Sequence, residues 1–159
     1  MKTVLAAVDF SEGSFAALQF ADEMARVYDS DVTVLHVVPR STQVQDGGID
    51  PKAAELLMDG LLNEGKLVTN LQEQLELFLA RAPDPRRPRR VIFRAGTPAA
   101  TIVKTATALD AVMIVMSTHG RRGLERLVLG SVTGEVVKLA RLPVLTLRPD
   151  VVPGKKGGR

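Results

Sequence analysis

The stretch Asp110-Ala111-Val112-Met113-Ile114-Val115-Met116-Ser117-Thr118-His119-Gly120-Arg121-Arg122-Gly123, which runs on to Leu129-Gly130-Ser131, decides the fold. Ala111 to Met116 is a short, unbroken apolar run, the pattern of a strand buried on both faces. Such a strand belongs to a parallel sheet with helices covering each side. Ser117 to Arg126 reads as a glycine-containing loop, and a helix is expected from about Ser131 to Ala140. Pro143 to Leu147 is then a further apolar strand, so this end of the chain is one strand-helix-strand unit.

The same alternation extends back to the N-terminus. Lys2 to Val8 is rich in β-formers and reads as a buried strand. Ser11 stands where a helix N-cap belongs, and Phe15, Leu18, Ala21, Ala25 and Tyr28 follow at helical spacing. Asp29-Ser30-Asp31 is turn chemistry. Val32 to Val38 is a second buried strand, closed by Pro39. Arg40 to Asp50, with Gly47-Gly48, reads as a loose loop. Pro51 is placed to start a helix whose stripe is Leu57, Leu61, Val68, Leu71, Leu75 and Phe78, ending near Ala82. Gly60 and Gly65 each cost about 1 kcal/mol there relative to alanine, so a break near them is expected. After the rigid polar segment Pro83 to Pro88 come a third strand, Val91 to Arg94, and a helix opened by Gly96-Thr97-Pro98 that buries Ile102, Val103 and Ala106. The order is β-α-β-α-β-α-β-α-β. Right-handed crossovers leave few topologies for it, and ligands in such sheets bind beyond the carboxyl ends of the strands where the strand order reverses.

Bulk properties narrow the function classes. A length of 159 residues fits one domain with a core of its own. With no cysteine, disulfide scaffolds, thiol catalysis and cysteine-based zinc sites are excluded. The apolar run Val4 to Val8 is too short for a secretory signal, and no run approaches the ~20 residues of a membrane helix. A cytoplasmic protein without membrane contact is expected. The net charge of +3 resides in the tail: without Lys155, Lys156 and Arg159, the 21 basic residues fall to 18, equal to the 18 acidic ones. The cluster Arg86, Arg87, Arg89 and Arg90 lacks the interleaved aromatics of a nucleic-acid surface and reads as a solvated loop. Residues 149–159, rich in Pro, Gly and Lys, are expected to form a flexible tail.

The chemistry converges on the loop after the fourth strand. Glycines let backbone N–H groups approach a phosphate, and a helix starting at Ser131 adds unpaired donors and a positive dipole end. Arg121 and Arg122 lie alongside to neutralise charge. Turn glycines and an N-cap serine explain the same residues without a ligand, so both readings stand at this point. Asp9, at the end of the first strand, is either a capping residue or a carboxylate for ribose hydroxyls. If the first and fourth strands flank the switch point, Asp9 and the Gly120 loop share one cleft. His36, inside a strand, reads as a hydrogen-bonded core residue. His119 either touches phosphate or shapes the turn. Two histidines without a spaced acidic partner make no metal site. No G-x-x-x-x-G-K-[ST], no G-x-G-x-x-G after the first strand and no G-x-S-x-G elbow is present, and no acid/base pair shares an element.

Over residues 2–148 the chain resembles the universal stress protein family, specifically its ATP-binding branch. The resemblance rests on "VLAAVDFSEGSFAAL", "VTVLHVV", "GTPAATIVKTA" and, most specifically, "DAVMIVMSTHGRRGLERLVLGSVTGEVVKLARLPVLTLRP". The family's ATP motif is G-x2-G-x9-G-[ST]. Gly120, nine residues and Gly130-Ser131 match it, while Ser117 replaces the first glycine. The resemblance implies a three-layer α/β/α, Rossmann-like domain over 1–148 with five parallel strands in the order 3-2-1-4-5. It implies that Asp9 holds the ribose with Ala7 against the adenine, and that the backbone of Val37 reads the adenine edge. Met116, Ser117, Thr118, His119, Gly120, Arg121 and Arg122 would wrap the ribose and phosphates, and Gly130, Ser131 and Val132 would bind the outer phosphates. Any side chain at Gly130 would crowd the phosphates and force unfavourable backbone angles. Mg²⁺ or Mn²⁺ would bridge the phosphates without a protein ligand set.

The expected function is that of an ATP-binding regulatory protein in the stress response. A slow ATP hydrolase or nucleotidyl-transfer enzyme and a nucleotide-free scaffold are the alternatives. In the implied strand order the third and fifth strands are edges. Arg89, Arg90, Arg94 and Pro88 guard the third, whereas Val144-Leu145-Thr146-Leu147 carries no charge. A homodimer through residues 143–148 is therefore expected.

Overall fold

Each strand of the sheet pairs parallel with its neighbours, the arrangement that doubly buried apolar runs require. The computed structural model describes residues 2–39, 64–82, 85, 87–118 and 129–148, with the side chains of 39 and 64–70 excepted. The chain divides into two units. Residues 1–39 and 82–159 form one, and residues 40–81 the other.

The first unit contains the whole sheet: β1 (Thr3–Ala7), β2 (Asp31–Pro39), β3 (Arg89–Gly96), β4 (Ala111–Ser117) and β5 (Val144–Leu147). Their order is β3-β2-β1-β4-β5, as the family resemblance implies. Helix α1 (Glu12–Val27) follows β1, and its N-cap is Ser11, whose Oγ accepts from the Ser14 N–H at 3.2 Å. The second unit contributes helix α2 (Glu64–Ala80), on which Leu75 and Phe78 are buried. The first half of the helix expected from Pro51 lies outside the described residues, as do the 40–50 loop and the 149–159 tail. Back in the first unit, helix α3 (Pro98–Ala108) precedes β4, with Thr97 as N-cap and proline in its first turn. Helix α4 (Ser131–Leu139) precedes β5.

Alternation along β1 splits the core in two. Leu5 and Ala7 lie level with Ile114 and Met116 of β4 and join Leu35, Ile102, Ala106 and Val136 in the cluster beneath α3 and α4. Val4 and Ala6 face the other way, level with Met113 and Val115, on the side covered by α1 with its buried Ala17, Leu18 and Ala21. Leu5, Leu18, Leu35 and Ile114 are fully buried, and each contributes about 1.5–3 kcal/mol of transfer free energy.

Among the strands, β3 differs most from the sequence reading. β3 spans Arg89–Gly96 rather than Val91–Arg94, because its polar residues pair along the whole of β2 from Val32 to Pro39. Arg89 is no edge guard: its guanidinium binds Asp22 of α1 through two nitrogens, and its side chain is only 9% exposed. No described helix is long and apolar enough to cross a membrane.

Candidate functional site

The strand order reverses between β1 and β4. From β1 the chain steps outward to β2 and β3, then returns across the sheet to β4 and β5. Neighbouring loops diverge at such a point and leave a crevice at the carboxyl ends. Ala7, the last residue of β1, lies level with Met116 on one side and Leu35 on the other. Asp9 lies two residues beyond Ala7, and Val37 two beyond Leu35. The expected residues Ala7, Asp9, Val37, Met116, Ser117 and Thr118 thus all lie at or just beyond the carboxyl ends of β1, β2 and β4.

The start of α4 is fastened to the end of β4. The Gly130 N–H donates to the Thr118 carbonyl at 2.8 Å, and Thr133 Oγ1 donates to the Ser117 carbonyl at 2.8 Å. The Thr118 N–H in turn donates to the Leu147 carbonyl of β5 at 2.7 Å, and Ser117 Oγ to the same carbonyl at 3.4 Å. This lattice brings Gly130, Ser131 and Val132 to the mouth of the crevice. Gly130 is the N-cap residue and gives α4 no side-chain cap. The first-turn N–H groups of α4 have no acceptor within the helix and carry the positive end of its dipole. At α1 the matching position is closed by the Ser11 hydroxyl, so the two helix starts differ in what they offer an anion.

Asp9 serves the turn between β1 and α1. Its Oδ1 accepts from the Ser11 N–H at 3.1 Å and from Ser11 Oγ at 2.5 Å, and its own N–H donates to Ser14 Oγ at 3.3 Å. The capping role considered from sequence is real, and the half-buried carboxylate still stands at the crevice.

His36 is structural, as the sequence reading has it. Its Nδ1 lies 2.8 Å from the Val8 carbonyl, which only accepts, so Nδ1 carries the proton. The imidazole stacks on Phe10 at 4.4 Å between centroids and meets Phe93 edge-on at 6.2 Å. Phe10 has φ +65°, a left-handed conformation costly for an aromatic residue. Phe10 and Thr133 are the site-shaping residues that the sequence reading missed. Neither belongs to a motif, because one acts through a backbone angle and the other through a long-range contact.

His119, Gly120, Arg121 and Arg122 lie outside the described residues. Among the described residues no group of three or more His, Asp or Glu is placed to hold a metal ion.

Comparison with known proteins agrees with this geometry. The model of the universal stress protein family matches residues 1–148. Universal stress protein MJ0531 of Methanocaldococcus jannaschii is 33% identical over 148 residues, spanning 92% of this chain and 82% of the relative. The solved structure of protein MJ0577 of the same organism superposes with a TM-score of 0.73 at 27% identity, covering 99% of this chain and 98% of the other. The universal stress protein from Archaeoglobus fulgidus, solved in complex with dAMP, shares the fold with a TM-score of 0.62 at 23% identity, over 92% of this chain and 96% of the other.

Proposed function

The chain belongs to the universal stress protein family, and from that premise we propose that it is an ATP-binding regulatory protein of the stress response. In this reading bound nucleotide biases its conformation or its choice of partner. The observation that carries the proposal is the start of α4, open to an anion and fastened to the end of β4 beside the switch point. Helix starts with unpaired N–H groups bind phosphate in many unrelated proteins. The dAMP complex of the Archaeoglobus fulgidus protein supplies a precedent for an adenine nucleotide on this fold.

The roles follow from position. Gly130, Ser131 and Val132 take the outer phosphates through backbone N–H groups and the Ser131 hydroxyl. Asp9 accepts from the ribose, Ala7 lies against the adenine, and the Val37 backbone reads its edge. Met116 to Arg122 wrap the ribose and the remaining phosphates. Mg²⁺ or Mn²⁺ compensates the charge of the triphosphate. In this reading the ion bridges oxygens of the triphosphate. Residues 1–148 act as one nucleotide-binding domain followed by a flexible tail, and two copies associate through 143–148.

Incubation of the purified protein with ATP and Mg²⁺ tests the reading. Retention of unhydrolysed ATP through gel filtration is the expected result. Stoichiometric release of ADP over hours would make the protein a slow hydrolase, and no retained nucleotide would make it a scaffold. Either outcome overturns the proposal.

A further inference from the structure

The outer edge of β3 and the facing side of α3 enclose a groove of about 520 Å³, at the edge of the sheet and apart from the switch point between β1 and β4. Its floor includes Ile92 and Ala95, and its rims carry Arg90 and Arg94 on the strand and Thr101 and Lys104 on the helix. No acidic residue among the described residues lines it.

The basic residues around β3 separate into two groups. Arg87 is paired with Asp29 and Arg89 with Asp22. Arg90, Arg94 and Lys104 are exposed and make no ion pair or hydrogen bond among the described residues. Arg90, Ile92 and Arg94 alternate along the strand and so share one face, the face that holds Ile92 in the core cluster beneath α3. The backbone is equally polarised. The Pro88 carbonyl faces β2, where it accepts from the Val32 N–H. Parallel pairing then turns the N–H and C=O groups of Val91 and Phe93 outward, away from β2. β3 ends the sheet, so no strand among the described residues takes up these groups.

We propose that this edge receives an extended acidic segment of a partner protein as an added strand, with the pattern acid-x-apolar-x-acid. Its main chain pairs with the outward groups of Val91 and Phe93, the mode by which sheet edges capture peptides. Residues of the added strand beside Arg90 and Arg94 lie four apart, and a carboxylate at each meets a guanidinium built for planar two-point contact. The residue between them, on the same face, is apolar because it lies beside Ile92. Lys104 supplies a further cation from the helix wall. No aromatic residue among the described residues lines the groove for bases to stack on, which favours a peptide over a nucleic acid.

The test uses a labelled peptide, Gly-Ser-Glu-Thr-Val-Thr-Glu-Ser-Gly, titrated with the full-length protein and followed by fluorescence anisotropy. Saturable binding is expected, weakened about tenfold or more by Arg90→Glu or Arg94→Glu, since each turns an attraction into a repulsion. Arg94→Lys keeps the charge but loses the two-point contact, so it weakens binding less than Arg94→Glu does. Arg141→Glu, an equal change of charge on an exposed residue outside the groove, leaves it unchanged. N-methylation of one alternate set of peptide residues abolishes binding while methylation of the other set spares it, a signature of edge pairing that needs no change to the protein. Absence of saturable binding would overturn the proposal. So would equal loss with both methylated sets, or loss in Arg141→Glu. An oligothymidylate that binds as tightly as the peptide and is lost in the same variants would also overturn it, showing a general polyanion groove. The nucleotide site takes no part in this proposal, so its outcome is independent of ATP binding.

Discussion

At Gly130 the backbone angles are φ −55° and ψ 150°, which any residue adopts. The expectation that a side chain here would strain the backbone is not met. What glycine offers is room for a phosphate to approach the first turn of α4. Gly130→Val should therefore weaken ATP binding at least tenfold, about 1.4 kcal/mol, with the melting temperature nearly unchanged. Calorimetry showing unaltered affinity would remove Gly130 from the site. Asp9 is a double case, because its Oδ1 also holds Ser11. Asp9→Ala should cost roughly 1 kcal/mol of stability through the lost turn. It should also weaken ATP and AMP by the same factor, since the ribose is common to both. Stability lost with both affinities intact would reduce Asp9 to a turn residue. Paired melting and binding curves separate the two.

Among the elements, β3 and α4 each show one glycine with a readable consequence. Gly96 closes β3 with φ +156°, and a Cβ there would lie 2.5 Å from Thr101 Oγ1. Gly96→Ala should cost about 2 kcal/mol, roughly 4–8 °C in melting temperature. Gly134, inside α4, has room: its Cβ would meet Leu129 Cδ2 at 3.7 Å. Gly134→Ala should add about 0.5–1 kcal/mol through helix propensity. Thermal melts with opposite signs for the two alanines are the check. These elements also show what a sequence reveals. β1, β2 and β4 were legible as predominantly apolar runs because most of their residues are buried. β3 was read four residues too short because an edge strand mixes one buried residue, Ile92, with exposed arginines. The caps of α1 and α3 were legible because capping is local chemistry. The Arg89–Asp22 pair, the stack of Phe10 on His36 and the tie of Thr133 to Ser117 join residues up to 67 positions apart, and no one-dimensional pattern records them. Of the proposed site, the end of β1 was named from its place at a strand's carboxyl end and from the family resemblance, and the start of α4 from motif spacing, while the 119–122 segment lies outside the described residues.

For the whole molecule, the two edges of the sheet differ in what they would offer a second copy. β3 displays the unpaired cations Arg90 and Arg94, which repel a second copy of themselves. β5 displays none: Val144, Leu145 and Thr146 are half-buried and uncharged. The carbonyls of Pro143 and Leu147 accept from Ile114 and Thr118 of β4. By alternation the N–H and C=O groups of Val144 and Thr146 face outward, away from β4. Two copies related by a two-fold axis would satisfy these groups reciprocally and extend the sheet from one copy into the next. Thr146→Pro removes an outward N–H and leaves the observed bonds of Pro143 and Leu147 to β4 in place, so the folded unit should persist while the edge is blocked. The wild type should sediment as a dimer at micromolar concentration and Thr146→Pro as a folded monomer with an unchanged circular dichroism spectrum. A wild type that remains monomeric at high micromolar concentration, or a Thr146→Pro variant that still dimerises, would place the association elsewhere. Arg148→Glu supplies the complementary check, because it reverses the charge just beyond β5 and should shift the monomer–dimer equilibrium without altering the strand.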